Sequence, residues 1–256
     1  MPTALIVEDE PEANKLLAMV VRLGGYQTES AFTGREGLEK ADRARPDVVL
    51  LDLMLPDING FEVCQALKGR RATNPIPVIM VTARVAADNR LQSFRVGADD
   101  YVPKPYTPDQ IFRALGAAVA RRGAQADQAD RGEIPLGTPA EAETLGAIAR
   151  LRALLLARTP WAEDDIRRLA AALADLEGEA AARARSSGVA RVATASYQRH
   201  PDRLTLTLCD DDHWFAEGPP PRERLGPLLA LFDESADDPS GRAVVLTKHF
   251  PAAGPG

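Results

Sequence analysis

Cysteine is nearly missing from this 256-residue chain, which carries only Cys64 and Cys209. Two thiols so far apart, each among apolar or strand-like neighbours, exclude a disulfide framework and suit a reducing cytoplasm. Long apolar runs are lacking too. None approaches the ~18 residues of a membrane-spanning helix, and the first ten residues turn acidic without a basic stretch before them, so neither a span nor an export signal is expected. A basic excess is also lacking: the net charge is −6, the first 122 residues are balanced, and the acidic excess lies beyond them. That half has no basic helix with interleaved aromatics, so no contact with nucleic acid is expected. The three histidines, His200, His213 and His249, fall outside the long helical patterns. This excludes a histidine phosphotransfer helix and reads as surface or loop positions rather than a metal set.

What is present suffices for folding. Apolar residues make up 45% and charged residues 27% of the chain, an ordinary composition for a globular protein. The length is that of two domains, each of roughly 100–150 residues. Up to residue 122, short apolar runs alternate with helical periodicity, the pattern of a doubly wound parallel sheet. Strands are expected at 3–7, 26–31, 47–51, 76–81 and 100–102, with helices at 11–23, 34–44, 60–68, 87–96 and 107–122. Pro11 and Pro108 suit a first helical turn, where a missing N–H costs little. The fold class is therefore α/β, a (βα)5 doubly wound parallel sheet over 1–122. Residues 123–139 read as a linker, rich in Ala, Gln, Asp, Gly and Pro. A second, α+β domain is expected over 140–256, with helices at 140–158, 162–185 and 222–232 and strands at 189–197, 203–208 and 243–249.

In parallel α/β sheets, functional groups gather at the carboxyl ends of the strands. Those ends here are Glu8 and Asp9, then Asp52, then Thr82, then Lys104. Three carboxylates brought together would repel by about 4 kcal/mol per close pair at an effective dielectric near 20. A divalent oxygen-seeking ion, Mg2+, together with the Lys104 ammonium would make the cluster neutral. A carboxylate nucleophile attacking phosphorus needs charge neutralisation and in-line placement more than it needs a base. Asp52 fits as nucleophile, Glu8 and Asp9 as metal ligands, and Lys104 and Thr82 as partners of the phosphoryl oxygens.

Four blocks carry a resemblance: Ile-Val-Glu-Asp-Glu-Pro, Asp-Leu-Met-Leu-Pro-Asp-Ile-Asn-Gly-Phe-Glu-Val, Pro-Val-Ile-Met-Val-Thr-Ala and Gly-Ala-Asp-Asp-Tyr-Val-Pro-Lys-Pro. Together they resemble the receiver domain of two-component response regulators. The resemblance implies that Asp52 is phosphorylated by a histidine kinase or phosphotransfer protein, and that the Met54 backbone carbonyl completes the metal site. Thr82 and Tyr101 would then be the switch pair. From the location of Tyr101, a homodimer or a contact with the second domain is expected on the face of the fourth helix, fifth strand and fifth helix, on or near which Arg90, Arg95, Asp99, Asp100 and Arg113 lie.

The second domain resembles the histidine-kinase-type ATPase sandwich of the anti-sigma-factor kinase branch in its order of elements. That family places a Glu and an Asn four apart on its long helix, where Asp175 and Glu179 stand here. Its adenine-binding Asp-Gly-x-Gly falls on Asp211, Asp212, His213 and Trp214, and both glycines are gone. A degenerate, non-catalytic ATPase-like output that binds protein follows, with no nucleotide cofactor. The alternatives are a receiver-gated ATP-dependent protein kinase and a transcription factor with a cryptic DNA-binding domain.

Overall fold

The computed structural model describes residues 1–83, 87–125, 130–211, 224–237 and 242–251, and every statement of absence below refers to these. The chain divides into two compact units, Met1–Asp127 and Gln128–Gly256.

The first unit runs β1 (Thr3–Val7), α1 (Pro11–Leu23), β2 (Gln27–Ala31), α2 (Gly34–Ala44), β3 (Val48–Leu51), α3 (Gly60–Lys68), β4 (Val78–Thr82), α4 (Ala87–Val96), β5 (Asp100–Pro103) and α5 (Pro108–Gln125). Its strands form one parallel sheet in the order β2-β1-β3-β4-β5. Alternation along the strands splits the core into two layers. Ala4, Ile6, Val48, Leu50, Ile79 and Val81 join the buried side chains of α1 and α5. Leu5, Val7, Val49, Leu51, Val78 and Met80 pack with Ala41, Val63, Cys64 and Leu67 from α2 and α3. Because both faces are covered, β1, β3 and β4 read as apolar runs, and this is why the sequence shows them so clearly. Since β1 lies between β2 and β3, the winding reverses there and a crevice opens beyond the carboxyl ends of β1 and β3.

One buried ion pair ties the far side of this unit together. Lys68, in the last turn of α3, meets Asp99 at 2.6 Å with 3% and 13% of the two side chains exposed. The same ammonium donates to the carbonyls of Ile76 at 2.8 Å and Asn74 at 3.3 Å. Asp99 also accepts the Val78 N–H at 2.9 Å. Asp99 thus belongs to an internal clasp between α3, β4 and β5. This corrects its expected role as a surface charge of the α4-β5-α5 face, because its carboxylate is already held by a lysine that sequence spacing does not bring near it.

The second unit contains β6 (Arg131–Leu136), α6 (Glu141–Arg158), α7 (Glu163–Ser187), β7 (Ala193–Arg199), β8 (Arg203–Asp210), a short helix α8 (Gly226–Leu229), β9 (Glu234–Asp237) and β10 (Ala243–His249). Its sheet is antiparallel throughout, in the order β6-β7-β8-β10-β9. Strand residues Ile134, Leu136, Leu204, Leu206, Leu208 and Leu246 are buried, as are Leu151, Leu155, Ile166, Leu169 and Leu173 on α6 and α7.

Two expectations are corrected here. Residues 131–136 are not linker but strand β6, which pairs with β7 from Arg131↔Gln198 to Leu136↔Ala193. Gly132 and Pro135 disguise it, yet β6 is an edge strand, where proline is tolerated. Asp130 anchors its start through Arg199 at 2.7 Å and Arg158 at 3.2 Å. The other correction is β9, an exposed edge strand of Glu, Ser, Ala and Asp that shows no apolar signal. Among the described residues no helix is long and apolar enough to cross a membrane.

Removing Lys68 while keeping Asp99 tests the clasp. Lys68→Met is expected to destabilise the first unit by about 3 kcal/mol, the low end for a broken buried pair, because Asp99 keeps its Val78 hydrogen bond. Urea denaturation should also show that adding Asp99→Leu costs much less than the two single changes combined.

Candidate functional site

Each acidic residue of the crevice sits just past a strand, so the sheet decides its place. Glu8 follows β1, and its N–H donates to the Ala31 carbonyl at 3.0 Å. Asn14 of α1, itself buried, donates to the Glu8 carbonyl at 3.2 Å and fixes the turn from strand to helix. Asp52 follows β3, with its N–H on the Val7 carbonyl at 2.9 Å. Beyond it the chain turns back tightly. Gly60, which opens α3, donates to the Leu53 carbonyl at 3.0 Å, and a Cβ on Gly60 would fall 2.2 Å from the Asp52 carbonyl oxygen. Only glycine permits that approach.

Glu8, Asp9 and Asp52 each offer an oxygen within 4.8 Å of the other two. Glu8 and Asp52 are buried and Asp9 is exposed. Lys104, just past β5, places its ammonium between the two buried carboxylates, 2.5 Å from Glu8 Oε2 and 2.6 Å from Asp52 Oδ2. Its backbone N–H donates to the Thr82 carbonyl at 2.8 Å, which ties the lysine to the end of β4. Asp52 Oδ1 accepts the N–H groups of Leu53 at 2.5 Å and Met54 at 3.3 Å. Both oxygens of Asp52 are therefore oriented, one by backbone and one by the lysine.

The electrostatics follow from this packing. Burial raises the Glu8 carboxyl above the usual glutamate range, the hydrogen bond from Lys104 opposes that shift, and the charge of Asp52 adds to it. For Lys104, burial disfavours the cation, but hydrogen bonds and charge from Asp52 and Glu8 outweigh it and raise the group, so the ammonium stays charged. Three carboxylates and one ammonium leave the cluster two charges short of neutrality. An all-oxygen donor set of this charge fits a hard divalent cation, and Glu8, Asp9 and Asp52 are the side chains that could hold it.

The remaining expected residues are nearby. Thr82 ends β4 and is fully buried. Tyr101 is half-buried on β5 and packs against the layer containing Met80 and Val63. Burial raises its phenol above the ordinary tyrosine range, with the Arg90 charge opposing and the Asp52 charge adding. Met54 contributes its N–H to Asp52 while its side chain lies half exposed at the crevice.

The second unit gives a different result. Asp175 and Glu179 lie on the exposed side of α7, and Glu179 meets Arg224 at 3.5 Å. The carboxylate that α7 buries is Glu177, which accepts the N–H of Gly137 at 2.8 Å. Sequence reasoning missed it, although a signal exists: position 177 continues the apolar stripe of Ile166, Leu169, Leu173 and Ala180. Asp211 Oδ2 takes the Thr194 hydroxyl at 2.7 Å and Arg191 Nε at 3.0 Å. Asp212, His213 and Trp214 lie outside the described residues.

Comparison with known proteins bears on the first unit. The response regulator receiver domain profile matches residues 4–116. The DNA-binding dual master transcriptional regulator RpaA of Synechocystis is 37% identical over 121 residues, covering 47% of this chain and 50% of that protein. The sensory transduction protein RegX3 of Mycobacterium tuberculosis is 42% identical over 127 residues, covering 50% and 54%. The chain thus spans about half the length of the curated relatives it matches. Among solved structures, a response regulator from Chloroflexus aurantiacus matches with 31% identity and a TM-score of 0.46, covering 47% of this chain and 98% of that one. The receiver domain of the sensor histidine kinase PA1611 of Pseudomonas aeruginosa, which carries a magnesium ion in its active site cleft, matches with 25% identity and a TM-score of 0.44 over 46% and 98%.

The raised Glu8 carboxyl sets a pH dependence. A proton and a divalent cation compete for that oxygen, so cation affinity should fall as pH falls through the displaced Glu8 titration, and binding there should release protons. Titration in weak buffer with an indicator dye should show this release, and Glu8→Gln should abolish it.

Proposed function

We propose, from the premise that residues 4–116 are a response regulator receiver domain, that the chain is a cytoplasmic two-component response regulator switched by phosphorylation of Asp52. The observation that carries this reading is the junction of Lys104 with both buried carboxylates at the reversal point of the sheet. The phosphoryl donor is a histidine kinase or phosphotransfer protein. An Asp52 oxygen forms its bond to phosphorus as the donor's P–N bond breaks. Glu8, Asp9, Asp52 and the Met54 carbonyl would hold Mg2+, which would supply charge neutralisation for the phosphoryl oxygens. Lys104 moves from the carboxylates onto a phosphoryl oxygen, and the Thr82 hydroxyl bonds another. Tyr101, on β5, reports the change to the α4-β5-α5 face, through which a homodimer forms.

The second unit is read as a non-catalytic ATPase-like module whose output is protein binding. Its order of described elements supports the likeness: an edge strand, two long helices, a strand pair, a short helix and two further strands, with all five strands in one antiparallel sheet. Against nucleotide chemistry stand the exposed positions of Asp175 and Glu179, the replacement of both motif glycines, and the engagement of Asp211 by Thr194 and Arg191. The name of RpaA describes DNA binding, but the match with that protein covers 121 residues, 47% of this chain. The acidic excess of this chain lies in the unmatched half, where it disfavours contact with phosphates.

Incubation with acetyl phosphate and Mg2+ should give a single phosphoryl adduct by mass spectrometry, absent from Asp52→Ala. An adduct that survives in that variant overturns the assignment. Calorimetry of the full chain with Mg-ATP should show no saturable binding below the millimolar range, equivalent to about −4 kcal/mol. Micromolar binding lost in Asp211→Ala would favour a receiver-gated kinase instead.

A further inference from the structure

The loop between β3 and α3 carries Asp52 at one end and meets Gly60 at the other. Its backbone sets the Asp52 carboxylate through the N–H groups of Leu53 and Met54. Gly60 closes it at Leu53. The middle of the loop is held from outside. Asp57 Oδ1 accepts the Gly34 N–H at 2.8 Å and Asp57 Oδ2 accepts the Arg35 N–H at 2.9 Å. These are free amides of the first turn of α2, and an anion suits that end of a helix. The next residue binds at the same point: a Cβ on Gly34 would lie 2.5 Å from Ile58 Cγ1. Two successive loop residues therefore converge on one glycine of α2, and Pro56 before them restricts the chain further.

The helix does not need Asp57 for its own cap. Thr33 is the residue that caps α2, its Oγ1 accepting the Glu36 N–H at 3.2 Å. Asp57 is exposed. Its hydrogen bonds, first that from Arg35, hold it below the usual aspartate range.

We infer that Asp57 is a positioning residue for the acidic cluster: by clamping the β3–α3 loop to the start of α2, it holds the Leu53 and Met54 amides that orient Asp52. This rests on the reading of Glu8, Asp9 and Asp52 as the cation site and of Asp52 as phosphoacceptor. Without the clamp the loop has more conformations available, and the cation must select the competent one. The effect therefore falls on cation affinity rather than on the rate once the cation is bound.

The test uses the full chain and four proteins: wild type, Asp57→Ala, Asp57→Asn and Thr33→Ala. Calorimetry gives the Mg2+ dissociation constant, acetyl phosphate at several Mg2+ concentrations gives the phosphorylation rate, and heating gives the thermal midpoint. Asp57→Ala should weaken Mg2+ binding about tenfold, the low end for groups that support a metal ligand from outside, with its rate recovering at saturating Mg2+. Asp57→Asn, which keeps one acceptor oxygen, should fall between Asp57→Ala and wild type and serves as the measurement if Asp57→Ala does not fold. Thr33→Ala loosens the same helix without touching the loop, so it should lower the midpoint and leave Mg2+ affinity unchanged. Equal Mg2+ affinity in wild type and both Asp57 variants overturns the inference, as does an equal loss in Thr33→Ala. A wild type that binds no Mg2+ overturns the cation-site reading beneath it, and the inference with it.

Discussion

Three carboxylates and one ammonium at the reversal point of a parallel sheet govern the first unit. Glu8, Asp9 and Asp52 would separate if they could, since each close pair repels by about 4 kcal/mol at an effective dielectric near 20. They stay together because the hydrogen bonds of β1 and β3 continue into them: Glu8 is tied to Ala31 and Asp52 to Val7. The core layers on both faces make those strands rigid, so the repulsion is carried by the fold rather than relieved. Lys104 offsets part of it, and the Glu8 carboxyl is raised first by burial and then by the charge of Asp52. A cluster short of two positive charges is ready for a cation and a phosphoryl group, and this one constraint links the sheet order, the glycine at position 60 and the placement of Lys104.

The two units treat charge in opposite ways. In the second unit the ionised groups near strand and helix ends are paired with one another: Asp130 with Arg199 and Arg158, Asp211 with Arg191, Glu179 with Arg224, Asp233 with Lys248. Such largely exposed pairs set geometry more than stability, at about 0–1 kcal/mol each. Among the described residues the three carboxylates of the first unit are the one group close enough to share a metal ion. The chemical potential of the described residues is thus concentrated at the strand ends of the first unit.

Most of the first unit was legible in the sequence. Strand β1 and helices α1 to α4 have the expected bounds, because β1, β3 and β4 are apolar runs and helices such as α2 and α3 follow clear turn signals at Thr33 and Asn59. The site was legible for the same reason: its acids stand directly after the apolar runs of β1 and β3. What the sequence hid depends on contacts far apart in the chain. Nothing local joins Lys68 to Asp99, or Asp57 to the start of α2. Strand β6 was hidden because Gly132 and Pro135 are turn residues elsewhere, and an edge strand can hold them. Asp175 and Glu179 were matched to a motif by spacing, whereas the apolar stripe points to Glu177 as the carboxylate turned inward.

The central claim is that the fold holds Glu8, Asp9 and Asp52 together against their repulsion. The most direct test is the thermal midpoint of the full chain, with and without Mg2+, for wild type and Asp52→Asn. Removing one charge while keeping the shape should raise the midpoint in the absence of metal, and Mg2+ should then add less than it adds to wild type. A lower metal-free midpoint in Asp52→Asn, or an equal gain from Mg2+ in both proteins, would contradict the account.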